Sequence, residues 1–381
     1  MLEKYRRKAV EWTQSLVRIP NVNPPGGEAE VARFCAEQLR GAGFDVAVDE
    51  FAPGRANLVA YLGNREDLGI VFNGHMDVVP ADGEWKLCEP FGAEEKDGMI
   101  WGRGSADMKS GCAAAMAAAR AVAESGEKLK KGICLCFVAD EERVNKGAKR
   151  LMETTQIKAD ACVVCEPTQL QVHYGHRGYA SFFIRTYGKP CHASVPSNGV
   201  NAIYKMAHAI ELLEKYADRL AENCDPLLGR MSLSVGMIHG GVALNVVPPF
   251  CEIEVEIRPY PWIDAAMLQS EMQEFLGDLA KVDIRSNLRG SIIPLDSELV
   301  RRASACVAQA TGKDAVVARF PACSEASFFS VGYGIPTILL GPGDIGCAHK
   351  PDERVAIAEI QQAVSVYLDL IRHYCSDTNI E

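Results

Sequence analysis

The chain has 381 residues, enough for two domains, and 48% of them are hydrophobic, enough for a sizeable core and too many for a disordered chain. Its 50 acidic side chains outnumber its 40 basic ones, and the formal net charge of −10 excludes the concentrated basic surface of a nucleic-acid binder while fitting a protein that acts on small molecules. No apolar run reaches the ~20 residues that span a bilayer, no apolar stretch follows the basic N-terminal residues as in a signal peptide, and the 14 cysteines read as reduced thiols of a cytoplasmic protein.

Residues 1–19 and 28–41 are predicted helices, separated by the breakers Asn23-Pro24-Pro25-Gly26-Gly27. Residues 44–48 alternate as a strand. Short apolar runs at 69–72, 133–139, 161–165 and 336–340 have the character of buried parallel strands. The alanine-rich stretch 110–125, closed by Gly126, is a helix whose small side chains allow close approach to a sheet. Strands alternating with helices predict an α/β domain. The middle of the chain differs: strand 179–187, helix 201–220, strands 231–238 and 250–257, helix 265–279 and strand 281–285. This β-α-β-β-α-β order is that of a ferredoxin-like α+β unit. It divides the chain into one domain formed by 1–176 and 291–381 and an inserted domain at 177–290. Cys162 and Cys165 have the spacing of a redox or zinc pair, but they lie in an apolar strand with no second pair and are read as structural.

In an open α/β sheet, ligands gather beyond the carboxyl ends of the strands. The first buried run continues into His75-Met76-Asp77, the second into Asp140-Glu141-Glu142, the third into Glu166, and the last reaches His349. Asp107 stands just before the alanine-rich helix. Each of these residues alone has an ordinary explanation: a core hydrogen bond, a helix cap, a solvated charge. Together they place so many carboxylates in one cleft that they repel one another unless cations hold them. Two divalent cations balance Asp107, Glu142, Glu166 and one bridging hydroxide, with His75 and His349 as neutral ligands. The expected arrangement has Asp107 as the bridge, one ion on His75 and Glu166, and the other on Glu142 and His349. Mixed imidazole and carboxylate ligation suits zinc and tolerates cobalt or manganese. Asp77 is the expected acceptor for the other ring nitrogen of His75. Glu141 remains as a carboxylate beside the ions, the position of a general base.

At these residues the sequence resembles the M20 family of metallopeptidases and deacylases. The resemblance is carried by Gly74-His75-Met76-Asp77-Val78-Val79-Pro80, Gly102-Arg103-Gly104-Ser105-Ala106-Asp107-Met108-Lys109-Ser110-Gly111, Asp140-Glu141-Glu142, Cys165-Glu166-Pro167-Thr168 and Ala348-His349-Lys350-Pro351-Asp352-Glu353, and it covers nearly the whole chain. It implies a zinc-peptidase-like α/β catalytic domain with an inserted ferredoxin-like α+β lid and dimerisation domain. It also implies the same ligand set, Glu141 as base and a cis Asp107–Met108 peptide. His192, in Lys189-Pro190-Cys191-His192-Ala193-Ser194, matches the family's lid histidine, which in dimeric members stabilises the oxyanion in the partner's active site. Asn245 and Arg258 match substrate-binding positions, and Arg177 is a further candidate of that kind. A homodimer through the inserted domain follows from the His192 match and from the sheet edge such a domain exposes.

The implied activity is hydrolysis of the amide bond of a small N-acyl amino acid. The segments 341–353 and 323–326 resemble acetylornithine deacetylase-like members more than succinyl-diaminopimelate desuccinylases. Desuccinylation of an N-succinyl amino acid, and dipeptidase or carboxypeptidase action, are the alternatives by the same mechanism. A catalytically silent metal-binding scaffold is the alternative of another class.

Overall fold

The structure is a computed structural model and describes residues 1–376. The Cα packing divides the chain into two compact units, one formed by residues 1–175, 292–320 and 324–381 and the other by residues 176–291 and 321–323.

The first unit contains helices α1 (Leu2–Val17) and α2 (Glu28–Arg40), strands β1 (Asp45–Ala52), β2 (Arg55–Leu62) and β3 (Leu68–His75), and the short pair β4 (Glu94–Lys96) and β5 (Met99–Trp101). Then follow α3 (Ser110–Ser125), β6 (Gly132–Val138), α4 (Lys146–Thr154) and β7 (Ala159–Val164). The main sheet has the order β1-β2-β6-β3-β7, continued by the strand Thr337–Leu339 and two short strands, Val172–His173 and Val317–Ala318. The strands β6, β3, β7 and Thr337–Leu339 run parallel, so their carboxyl ends share one edge. β2 joins β6 antiparallel, which makes the sheet mixed.

β3 and β6 are buried along their whole lengths, which is why both read as unbroken apolar runs. Helix α3 is buried from Ser110 through Ala119. A Cβ added at Gly111 would stand 2.2 Å from the Cys165 carbonyl oxygen, so only glycine permits this approach of α3 to the end of β7. Three helices of this unit, α4, Glu298–Thr311 and Ile357–Cys375, lie where the sequence predicts no element, as do the strands β2, β4 and β5.

The second unit holds strands Tyr179–Tyr187, Leu233–Gly240, Phe250–Ile257 and Lys281–Leu288 and helices Ala202–Glu222 and Ala265–Leu276. In sheet order the strands are Leu233–Gly240, Phe250–Ile257, Tyr179–Tyr187 and Lys281–Leu288. Every pairing is antiparallel. Chain order and sheet order together are those of the ferredoxin-like α+β unit. The core of this sheet is formed by inward residues such as Phe182, Ile184, Ile253 and Val255. Among the described residues no helix is long and apolar enough to cross a membrane.

Candidate metal centre

β3 ends at His75, and in the parallel pairing His75 lies opposite Val138, the last residue of β6. The chain leaving β6 therefore delivers Glu141 and Glu142 beside it. β7 ends at Val164 and delivers Glu166 to the same edge. Asp107 sits in the turn Ser105–Lys109 that opens α3, and the Asp107–Met108 peptide is cis. His349 follows the short turn Ile345–Cys347.

Ligand atoms of His75, Asp107 and Glu142 lie within 4.8 Å of one another. His75 Nε2 is 3.0 Å from Asp107 Oδ1, and His349 Nε2 is 3.4 Å from Asp107 Oδ2. The two carboxylate oxygens thus face two different imidazoles. His349 Nε2 also stands 3.0 Å from Glu142 Oε2. The side chains of His75, Asp107 and Glu142 are 2%, 7% and 6% exposed, whereas that of His349 is 53% exposed and forms the open side of the cluster. Glu166 is buried and Glu141 half-buried.

Electrostatics follow from this crowding. Burial pushes the Glu141 carboxyl well above the usual range, and the charges of Glu142, Glu166 and Glu325 push the same way against the attraction of His75. Burial and then Asp107 raise Glu166 and Glu142. Asp107 goes the other way: burial pushes it up, but hydrogen bonds from His349 and His75 outweigh that and hold it low. Hydrogen bonds to Asp107 and Glu142 push His349 up to about 10. Burial lowers His75, but Asp107 and the neighbouring carboxylates raise it well above its ordinary value.

Asp77 meets the His75 ring through its main chain rather than its side chain. The other ring nitrogen of His75, Nδ1, is 2.9 Å from the Asp77 backbone carbonyl and 3.8 Å from its carboxylate. The chain turns after β3, so the carbonyl reaches the ring and the side chain points elsewhere. The Asp77 carboxylate instead accepts the backbone N–H groups of Glu141 and Glu142 at 3.1 and 3.3 Å. Asp77 therefore orients His75 through its main chain and the Glu141–Glu142 turn through its side chain.

Other supporting residues were not singled out from the sequence. Glu353 is fully buried, and its Oε1 accepts the N–H groups of Ala106 and Asp107 at 3.0 and 3.1 Å. Its Oε2 pairs with buried Arg103 at 2.6 Å. Asn73, on β3, donates to buried Glu325 at 3.1 Å, and burial raises Glu325 to about 7. Lys109, 1% exposed, donates to the carbonyls of Leu16 and Ile19 and to Asn21. Arg103, Lys109 and Glu353 lie inside the motifs quoted above, but only their burial separates them from solvated charges. Asp140 and His349 both have left-handed backbones, with φ of 69° and 61°. Such non-glycine residues cost roughly 1–3 kcal/mol each and persist where the surroundings enforce them.

The remaining candidates lie in the second unit. His192 is exposed, and its Nδ1 is 2.7 Å from the Ser194 hydroxyl. The Ala193 N–H donates to the Asn245 carbonyl at 3.0 Å, which brings the His192 and Asn245 loops together. The Arg258 guanidinium donates to Glu256 at 2.7 Å and to the Cys323 sulfur at 3.2 Å, and it stacks over the Tyr179 ring. Arg177 donates to the Arg230 carbonyl.

The cluster has the donor set of a divalent-cation site, imidazole and carboxylate converging from four loops. Coordination needs neutral imidazole, whereas His75 and His349 facing Asp107 hold their protons to higher pH than usual. Cation uptake must therefore displace protons, and affinity must rise with pH. Chelator competition from about pH 6 to about pH 8 is expected to show zinc binding tightening by about tenfold per pH unit for each proton displaced. Binding that is independent of pH over this range would contradict the arrangement.

A model of peptidase family M20/M25/M40 matches residues 71–373. The chain is 31% identical to the acetylornithine deacetylase of Aliivibrio fischeri strain MJ11 over 361 residues, covering 92% of each. Its fold is similar to that of an M20 family metallo-carboxypeptidase from Sulfolobus solfataricus, with a TM-score of 0.79, 18% identity, and 96% of this chain and 99% of that one covered. It is also similar to a dinuclear metal-binding M20 peptidase from Bacillus subtilis, with a TM-score of 0.69, 16% identity, and 97% and 98% covered. With the family match spanning most of the chain and the loops of the candidate site within it, the chain belongs to peptidase family M20/M25/M40 and is a hydrolase.

Proposed function

We propose that the protein is a two-metal amidohydrolase, zinc-dependent by preference, that releases the acyl group of a small N-acyl amino acid. The observation that carries this reading is Asp107, whose two oxygens face His75 and His349 separately, as a carboxylate bridging two cations requires. In this reading His75 and Glu166 complete one cation position, and Glu142 and His349 the other. Bound divalent ions supply a polarised scissile carbonyl and a water made more acidic.

The chain's own residues supply the rest. Glu141 takes the proton of the attacking water and passes it to the departing amine. Asp77 fixes the backbone of Glu141 while its carbonyl holds the His75 ring. His192 stabilises the oxyanion of the tetrahedral intermediate. Arg258, Asn245 and Arg177 bind the substrate, arginine being suited to a carboxylate by its two parallel donors.

An N-acetylornithine-like substrate is favoured by the 31% identity to an acetylornithine deacetylase. A reducing compartment, the cytoplasm, fits the absence of disulfides among the 14 cysteines. Amine release is to be measured on N-acetyl, N-succinyl and N-formyl amino acids and on dipeptides, with zinc or cobalt supplied. Turnover of N-acetyl amino acids is expected, and activity confined to succinyl compounds or dipeptides would overturn the acyl assignment. Glu141→Gln is expected to lower kcat by at least about 100-fold with metal content retained. Wild-type turnover by this variant would remove Glu141 as base.

We also propose a homodimer through residues 177–290. The edge strand Leu233–Gly240 and the loop after it expose Met237, Ile238, Val242 and Leu244, a surface suited to pairing. Light scattering is expected to give twice the chain mass. A fully active monomer would rule out a trans role for His192.

A further inference from the structure

Asp140 immediately precedes the Glu141–Glu142 turn, and its backbone is left-handed, with φ of 69°. Aspartate enters this region more readily than most residues other than glycine, and here its hydrogen bonds enforce it. The enforcement is visible. Asp140 Oδ2 accepts the Lys146 N–H at 3.2 Å, and its carbonyl accepts the Asn145 N–H at 2.7 Å. Its Oδ1 accepts from Arg55 Nη2 at 2.8 Å and from Asn23 Nδ2 at 3.0 Å.

Arg55 is itself fixed. It grips Glu28 with two parallel bonds, Nε to Oε2 at 2.7 Å and Nη2 to Oε1 at 2.8 Å. Glu28 is fully buried at the start of α2, and the Arg55 side chain is 12% exposed. Asn23 donates from the same Nδ2 to Asp77 Oδ2 at 2.8 Å. Asp77 in turn holds the N–H groups of Glu141 and Glu142. One connected network thus runs from Glu28 through Arg55 and Asp140, and through Asn23 and Asp77, to the backbone of the base. Buried charges arranged in this way are expensive to leave half-paired, which makes the geometry rigid.

We propose that Arg55 is a positioning residue for the reaction: acting through Asp140 and Asn23, it fixes the backbone turn that presents the Glu141 carboxylate. This rests on the reading of Glu141 as the base. The side-chain bonds of Arg55 go to Glu28, Asp140 and the Pro25 carbonyl and to none of the ligand candidates, so its effect is expected in kcat rather than in substrate affinity. A lysine cannot replace it, because the two-pronged grip on Glu28 and the third bond to Asp140 need the planar guanidinium.

The test compares Arg55→Met, Arg55→Lys, Asp140→Asn and Asp140→Ala with wild type and Glu141→Gln. Each protein is loaded with cobalt, and metal content, the visible cobalt spectrum, kcat and KM are read. Arg55→Met and Asp140→Ala are expected to lose kcat by about tenfold to a hundredfold, the scale of a misplaced catalytic group. KM and metal content should stay close to wild type. Asp140→Asn, which tolerates a left-handed backbone and keeps one acceptor oxygen for Arg55 and Asn23 while losing the one for the Lys146 N–H, is expected to recover part of the loss, as is Arg55→Lys. Wild-type kcat in Arg55→Met, or metal loss equal to the loss of activity, would overturn the proposal. Should Arg55→Met fail to fold, equal kcat in Asp140→Asn and Asp140→Ala would overturn it as well. An active Glu141→Gln would instead bring down the assignment of the base.

Discussion

Like charges held at one edge of a buried sheet are the constraint on which this structure turns. Glu166 and Asp107 are 3% and 6% exposed, and Glu141 and Glu142 stand beside them. Removing carboxylates from water and setting them side by side raises the proton affinity of three of the four. Asp107 escapes because two imidazoles face it. Such an arrangement is stable only with compensating positive charge, and the histidines supply it by holding protons. Divalent cations would supply more of it and release those protons.

The surrounding residues make sense as supports for that edge. Glu353 and Arg103 hold the N–H groups that lead into Asp107. Asp77 holds those of Glu141 and Glu142. Lys109 ties the turn after Asp107 to the end of α1 and the loop beyond it through the carbonyls of Leu16 and Ile19. The left-handed residues Asp140 and His349 then store strain where the network can hold it. Function sits on loops, and precision comes from buried hydrogen bonds beneath them.

Much of this was legible from residue types at strand ends. His75, Glu142, Glu166 and His349 each follow a short apolar run, and parallel strands bring such positions to one edge. The inserted unit was legible from the order of its elements. Helix Ile357–Cys375 was not, because Val364, Val366, Leu368 and Leu370 alternate like a strand while Ser365 and Tyr367 between them are buried too, which blurs the helical period. β2 is buried across its centre and pairs antiparallel, so it carries no ligand and signals nothing at its end. Spacing pairs Asp77 with the His75 ring but cannot tell whether its side chain or its own carbonyl reaches it. Arg55 and Glu28 stand 27 positions apart, and no local pattern joins them.

On the proposed reading, hydrolysis has one requirement, cations held beside Asp107. It is tested most directly by titrating metal-stripped protein with zinc while bound metal and amide hydrolysis are followed together. This requirement predicts two ions bound per chain, no turnover before zinc is added, and activity that appears as the sites fill. Full activity in the stripped protein, or turnover that ignores the zinc bound, would contradict it.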